Sequence, residues 1–407
     1  MTALPRPRPH PEPDHHDTPV PGRKSYTVTG HTHRRSQEAT MRFRTYAGPR
    51  TADSARSADQ ALPPALPYPN GWFCVGFSRE WALGQVRTRP LMDQEIVVYR
   101  TRRGTLRATR PYCPHLGAHL GVGGTVDGEN LVCPFHGFAF GPDGTCIHTP
   151  YGTPPKTASL ILLPVQEKYG IVWAWHHHDD APPTWELPRL STVGIHPPVC
   201  WAIDLVGHPQ EVTENVVDYG HGPQLHGFTP FEMLVPFTTD GALASVHART
   251  GRKLPLLGTT VAHPFDMTMI GLGGFHALFD LSRFGFRASY WALATPTGPW
   301  RFRLWTAATS ARCGGTRPAA ALDRRLAHGV SALVVLWAAK DLHSDFAIWH
   351  HKQYLPHPKL NAGDGPIGEY RHWARQFYPP GSAPLRPEPV PDTSATLPGT
   401  ARTNSAT

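Results

Sequence analysis

Apolar positions along this chain fall into short strand-like runs first and longer mixed patterns later. Glu95-Ile96-Val97-Val98-Tyr99-Arg100 and Gly170-Ile171-Val172-Trp173-Ala174-Trp175 are β-branched and aromatic runs. Gly, Pro and Asp separate them, and the pattern predicts strands. Strand-like segments recur at Phe275–Phe279, Ala288–Leu293 and Phe302–Ala307. Leu322–Trp349 contains no Pro and only Gly329 among glycines, which predicts a long helix. The expected fold class is α+β. A small all-β domain over 66–183 leaves through the linker Asp179-Asp180-Ala181-Pro182-Pro183, and an α+β domain follows over 184–380. Residues 1–65, rich in Pro, His and Arg, and 381–407, rich in Pro, Ser and Thr, are expected to be loose tails.

A chain of 407 residues exceeds what a lone electron carrier needs and suits two domains. The formal charge of +8 hints at nucleic acid until it is located. Met1–Gln60 hold ten Lys/Arg against six Asp/Glu, so about half of the excess lies in the tail. No nucleic-acid role is expected, and the mildly basic remainder suits an ordinary solvated surface as well as steering of an acidic ferredoxin. Cys74, Cys146, Cys200 and Cys313 are scattered singly, which favours a reducing compartment, and they read as small buried hydrophobes. No run reaches the eighteen or so apolar residues that span a bilayer. Arg34-Arg35-Ser36 has no apolar stretch behind it. A cytoplasmic protein is expected, with Met41 as an alternative start.

The chemistry begins at Cys113-Pro114-His115, followed after seventeen intervening residues by Cys133-Pro134-Phe135-His136. Two thiolates and two imidazoles in mixed pairs match a Rieske [2Fe–2S] cluster, one iron taking sulfur and the other nitrogen. Zinc fingers draw like-with-like Cys and His pairs, so zinc is the weaker reading. The glycines of Leu116-Gly117-Ala118-His119-Leu120-Gly121 and His136-Gly137-Phe138 suit backbone that must approach a cluster closely. With four ligand places filled, His119 reads as a hydrogen-bonding or surface residue. Ala118, Phe135 and Phe138 stand where respiratory-complex Rieske proteins carry two further cysteines and a serine. The loops therefore resemble the low-potential oxygenase type.

A second constellation runs from Glu214 to His226. Asp218 and His221, three apart, share a face if the segment is helical. Gly222-Pro223 is expected to break that helix and swing His226 back towards His221. A carboxylate would complete the two-His-one-carboxylate facial triad of non-haem ferrous iron. Asp345 is the preferred donor and Asp341, one helical turn earlier, its rival. Taken alone, two histidines in a chain with 25 have an ordinary alternative as satisfied or surface residues.

Together these motifs resemble the oxygenase component of the Rieske non-haem iron oxygenases, whose pattern Asn-x2-Asp-x2-His-x4-His is met at Asn215, Asp218, His221 and His226. The resemblance runs from about Pro67 to Tyr378. Cys113–Ala118, Val122–Thr125 and Ile348-Trp349-x2-Lys352 are similar to the cholesterol 7-desaturase and 3-ketosteroid 9α-hydroxylase group. It implies a Rieske β domain joined to a helix-grip catalytic domain, in a homotrimer where electrons cross between subunits. It further implies that Asp218 bridges its own His221 to His136 of the next subunit, that Asn215 supports the iron site, and that Asp345 is the third iron ligand.

Oxygen activation by mononuclear Fe(II), fed with electrons through the cluster, is the expected chemistry. Gly271-Leu272-Gly273-Gly274 lacks the strand-turn-helix frame of a dinucleotide site, so a separate NAD(P)H-dependent flavin reductase, with or without a ferredoxin, is the expected partner. The apolar stretches Phe228–Phe237 and Ile270–Phe286 read as core more readily than as pocket wall. Hydroxylation or desaturation of a sterol or steroid is the leading expectation. Oxidative carbocyclisation of an alkyl-chain natural product such as a prodiginine, in secondary metabolism, is the alternative. A non-catalytic Rieske electron carrier is the reading from a different class.

Overall fold

The computed structural model describes residues 66–381, apart from 195–197, 230, 254–259, 314–319 and 362. The tail expected at 1–65, the tail expected at 381–407 beyond Gly381, and the alternative start at Met41 lie outside the described residues.

The first part of the fold is built from small antiparallel sheets. Gly71–Phe77 pairs with Ile171–His176, and that strand with Val165–Lys168. Every residue of Gly71–Phe77 is buried, which explains why it reads as a continuous apolar run rather than an alternating one. The strand expected at Glu95–Arg100 is present as Gln94–Arg100, the centre of a second sheet. A third sheet, made of Thr125–Asp127, Asn130–Val132, Ala139–Phe140 and Cys146–His148, carries the second Cys-His loop between its middle strands.

The second part is a seven-stranded antiparallel sheet. Its first strand, Val199–Val206, pairs with its last, Arg301–Arg312. The others follow as a meander of Phe286–Gly298, Gly274–Leu281, Thr260–Ile270, Leu243–Lys253 and Phe231–Asp240. Four helices complete it: α1 (Pro209–Glu214), α2 (His221–His226), α3 (Ala320–His351) and α4 (Ile367–Ala374). The three strands expected here lie inside longer ones, and the long helix extends two residues past its expected span at each end. At 32 residues α3 is about 48 Å long. It packs on Val199–Val206, Arg301–Arg312 and Phe286–Gly298, one half of the sheet, while Tyr370 and Trp373 of α4 pack with Phe237, Ala244, Val246 and Met269 of the other half. Among the described residues no helix is long and apolar enough to cross a membrane.

One core joins the two parts. Trp72, Cys74, Trp173 and Trp175 pack with Ile270, Trp291, Leu293 and Trp305. The connecting residues do not trail between them, because Trp185 lies on Trp175 and its carbonyl accepts from Trp72 Nε1 at 3.0 Å. The glycine-rich turn at 271–274 fits here as well: a Cβ on Gly273 would lie 2.3 Å from the Trp72 carbonyl oxygen, so only glycine allows this approach. Of the scattered cysteines, Cys74 and Cys146 are buried as expected, whereas Cys200 and Cys313 are half-buried.

Candidate metal centres

The two Cys-His loops share one backbone design. The Cys113 N–H donates to the Ala118 carbonyl at 2.9 Å and the Gly117 N–H back to the Cys113 carbonyl at 2.9 Å. Cys133 and Phe138, then Gly137 and Cys133, repeat the pattern at 2.9 and 3.1 Å. Gly117 (φ +75°) and Gly137 (φ +69°) close the turns in the left-handed region. That explains the glycines more directly than close approach to a cluster.

Both thiols sit in an apolar core with Leu120, Leu131 and Phe140, while His115 and His136 are half-buried on the outer side, their rings 4.8 Å apart. His115 also stacks on Phe138 at 4.3 Å. Burial, with Cys133 beside it, pushes the Cys113 thiol up to about 11. A thiolate pair here therefore needs a cationic partner. Sulfur donors inside and nitrogen donors outside fit a [2Fe–2S] group whose two irons differ in ligand. His119 is engaged elsewhere: its Nδ1 accepts from the Gly121 N–H and its Nε2 lies 3.1 Å from Glu95 Oε2.

The second centre is carried by α1, α2 and α3. All six residues of α1 are buried, with Pro209 in its first turn and His208 Nδ1 accepting from the Gln210 N–H at its start. The chain breaks between Asn215 and Gly220, not at Gly222-Pro223. Pro223 is the third residue of α2, where its missing N–H has no intrahelical acceptor to lose. Asp218 is therefore not on a shared helix face with His221; its Oδ1 accepts the His221 backbone N–H at 3.2 Å and helps start α2. Gly227 ends that helix in the left-handed conformation.

α2 and α3 bring three side chains to one point. His221 Nε2 lies 2.9 Å from His226 Nε2 and 2.9 Å from Asp345 Oδ1, and His226 Nε2 lies 3.5 Å from Asp345 Oδ2. One N–H on His221 cannot serve both 2.9 Å neighbours, whereas a cation shared by all three groups can. Ligands at right angles on bonds of about 2.1 Å stand about 3.0 Å apart, against about 3.4 Å for a tetrahedral set. The three separations, 2.9, 2.9 and 3.5 Å, span both values and fit two imidazoles and one carboxylate around a single cation, the donor set of a facial triad. Asp345 is 2% exposed and accepts from the Asn215 amide at 3.2 Å. Asp341 lines the adjoining cavity one turn earlier and is not among the three converging groups.

That cavity has a volume of about 410 Å³ and contains His221, His226 and Asp345 in its wall. Phe275, Ala277, Phe279 and Leu281, alternate residues of one strand, face into it, and Phe228, Phe265 and Phe286 add to the apolar lining. Much of the stretch expected to be core is thus pocket wall. Val330, Val334, Ala338, Asp341 and Asp345 line it from α3 at helical spacing, a signal legible in the sequence that points straight to the carboxylate.

Comparison with known proteins gives these centres a family. Residues 71–165 match the Rieske [2Fe–2S] domain, and residues 174–378 match the 3-ketosteroid 9α-hydroxylase C-terminal domain. The cholesterol 7-desaturase of Bombyx mori is 30% identical over 344 residues, covering 80% of this chain and 73% of that protein. The chain belongs to the Rieske oxygenase family. Another similar family member is a probable 3-ketosteroid-9-alpha-monooxygenase oxygenase component from Rhodococcus rhodochrous, 29% identical over 81% of this chain and 84% of its own length. Apo dicamba monooxygenase (TM-score 0.57, 17% identity, 77% of this chain and 98% of its own) shares the fold. So does Pseudomonas putida CBB5 NdmA with caffeine (TM-score 0.59, 18% identity, 75% and 89%). As a Rieske oxygenase the chain is an oxidoreductase that works with a [2Fe–2S] cluster and a mononuclear iron.

Proposed function

We propose that this Rieske oxygenase hydroxylates or desaturates a sterol or steroid. The observation that carries the reading is the apolar cavity opening directly onto two imidazoles and a carboxylate. The names of the relatives, a cholesterol desaturase and a ketosteroid monooxygenase, support a rigid hydrocarbon as its occupant. Cys113, His115, Cys133 and His136 hold the cluster; His221, His226 and Asp345 hold the iron. When bound, that iron supplies oxidation by dioxygen, with electrons arriving through the cluster.

The chain's own residues set the conditions. Asn215 fixes one oxygen of Asp345, so the carboxylate keeps a constant orientation. The phenylalanine wall excludes water and holds hydrocarbon beside the triad. Asp218, already engaged with the His221 backbone, is half-buried and suited to accept from an imidazole N–H of His136 in the next copy of a homotrimer. Electrons enter from an NAD(P)H-dependent flavin reductase, directly or through a ferredoxin. A non-catalytic carrier would leave the triad and its cavity without a use.

The test is incubation of the reduced protein and a surrogate reductase with sterols, 3-ketosteroids and long-chain pyrroles. A gain of about sixteen mass units reports hydroxylation and a loss of about two reports desaturation or ring closure. Turnover of the pyrroles alone would reject the steroid reading.

A further inference from the structure

A cavity for an apolar molecule needs an entrance such a molecule can reach. Three residues of the cavity wall, Phe284, Leu333 and Trp337, are also exposed to solvent at 54, 57 and 52%. Large side chains shared between cavity and solvent mark its mouth. The apolar surface continues along α3, where Leu322 and Leu326 are exposed at 52 and 44%. These four α3 positions are spaced by four, seven and four residues and return to one side of the helix. The other side of α3 is buried through Val335, Ala339, Phe346 and Trp349. Beyond Trp337 the outward positions change to Lys340, His343 and Ser344 before Ile348, exposed at 46%, so polar residues interrupt the apolar strip there.

A continuous exposed apolar strip marks an interaction surface, and its borders identify the partner. Arg283 adjoins Phe284, Arg325 adjoins Leu326, and Lys340 lies one turn past Trp337, all exposed. Of the neighbouring acids, Asp323 pairs with Arg312 at 3.3 Å, Asp280 accepts the Ser282 N–H at 2.9 Å and keeps its charge, and Asp341 lines the cavity. Tryptophan and leucines bordered by cations suit the headgroup region of an anionic bilayer. A two-fold contact with a second copy would set the same cationic border against itself.

We propose that the cavity mouth docks on an anionic lipid surface. Phe284, Leu322, Leu326, Leu333 and Trp337 enter the acyl boundary, and an apolar substrate passes from lipid into the cavity without crossing water. This deepens the steroid reading, while lipid binding itself can be measured with no substrate present.

The experiment is flotation of the purified full chain, with its cluster in place, on vesicles of phosphatidylcholine alone or with phosphatidylserine. Flotation on the anionic vesicles, weakened by salt, is expected. The Leu322→Glu, Leu326→Glu double variant, altered outside the cavity, should bind about tenfold less or weaker still, with unchanged cluster absorption and unchanged turnover of cyclodextrin-delivered substrate. Three results would overturn the proposal: no flotation of a spectrally intact protein, equal flotation of the double variant, or self-association in sedimentation that the same substitutions abolish. Vesicle binding without any steroid product would reject the functional reading alone.

Discussion

The side-chain amide of Asn215 donates to Asp345 Oδ1 at 3.2 Å, the same oxygen that stands 2.9 Å from His221 Nε2. One carboxylate oxygen thus faces both a candidate ligand imidazole and the amide that orients it. Replacing Asn215 with leucine removes the donor that orients the acid, and iron affinity should fall by about 10–100-fold. Anaerobic Fe(II) titration measures this, with the cluster absorption as an internal control.

Asp345 and Asp341 occupy successive turns of α3, but only Asp345 converges with the two histidines. Asp345→Ala should strip the mononuclear iron and leave the cluster iron in place. Asp341→Ala should retain both. Metal analysis beside the cluster spectrum separates the two outcomes, and iron loss in the Asp341 variant alone would reverse the assignment.

The matched glycines of the cluster loops should respond differently to a methyl group. A Cβ on Gly117 meets nothing within 4 Å, so Gly117→Ala should cost about 1–2 kcal/mol for its left-handed backbone and keep the cluster. A Cβ on Gly137 would lie 2.8 Å from Pro150 Cγ, so Gly137→Ala must displace the loop and should lose cluster occupancy. Visible absorption per protein decides between them.

Acid should weaken the fold early. Burial lowers His176, His208 and His276 from 6.5 to about 4. Each is neutral when folded but binds a proton when unfolded below its ordinary value. The stability each contributes is complete above pH 6.5 and is lost progressively down to pH 4, at about 1.4 kcal/mol per pH unit. The urea midpoint should fall from pH 6.5 to 5, with a shallower fall in His208→Gln. A flat midpoint across that interval would contradict the burial argument.

Legibility in the sequence followed the range of the signal. The Cys-His loops are readable because four candidate ligands lie within 24 residues, Cys113 to His136, and because Gly117 and Gly137 punctuate them. Strands with branched or aromatic runs and the Pro-free α3 were equally plain. Pro223 misled because a proline in a first turn and one that breaks a helix look alike until the helix start is known. The pocket was hidden for another reason: Phe275 and Phe279 face the cavity while Leu278 between them is buried on the other face, so both faces of the strand read as core. No local pattern announces that Glu214 meets Arg371 in a bidentate pair at 2.8 Å.

That last pair has a consequence for synthesis. Glu214, Thr213 and Gln210 of α1 find their partners in Arg371, Tyr370 and Tyr378, near the end of the fold. Until those residues leave the ribosome, the Glu214 carboxylate has no buried cation to offset its desolvation, and the segment leading to Asn215 and His221 stays unanchored. The anchoring of the α1 segment thereby depends on partners 157 to 168 positions further along the chain.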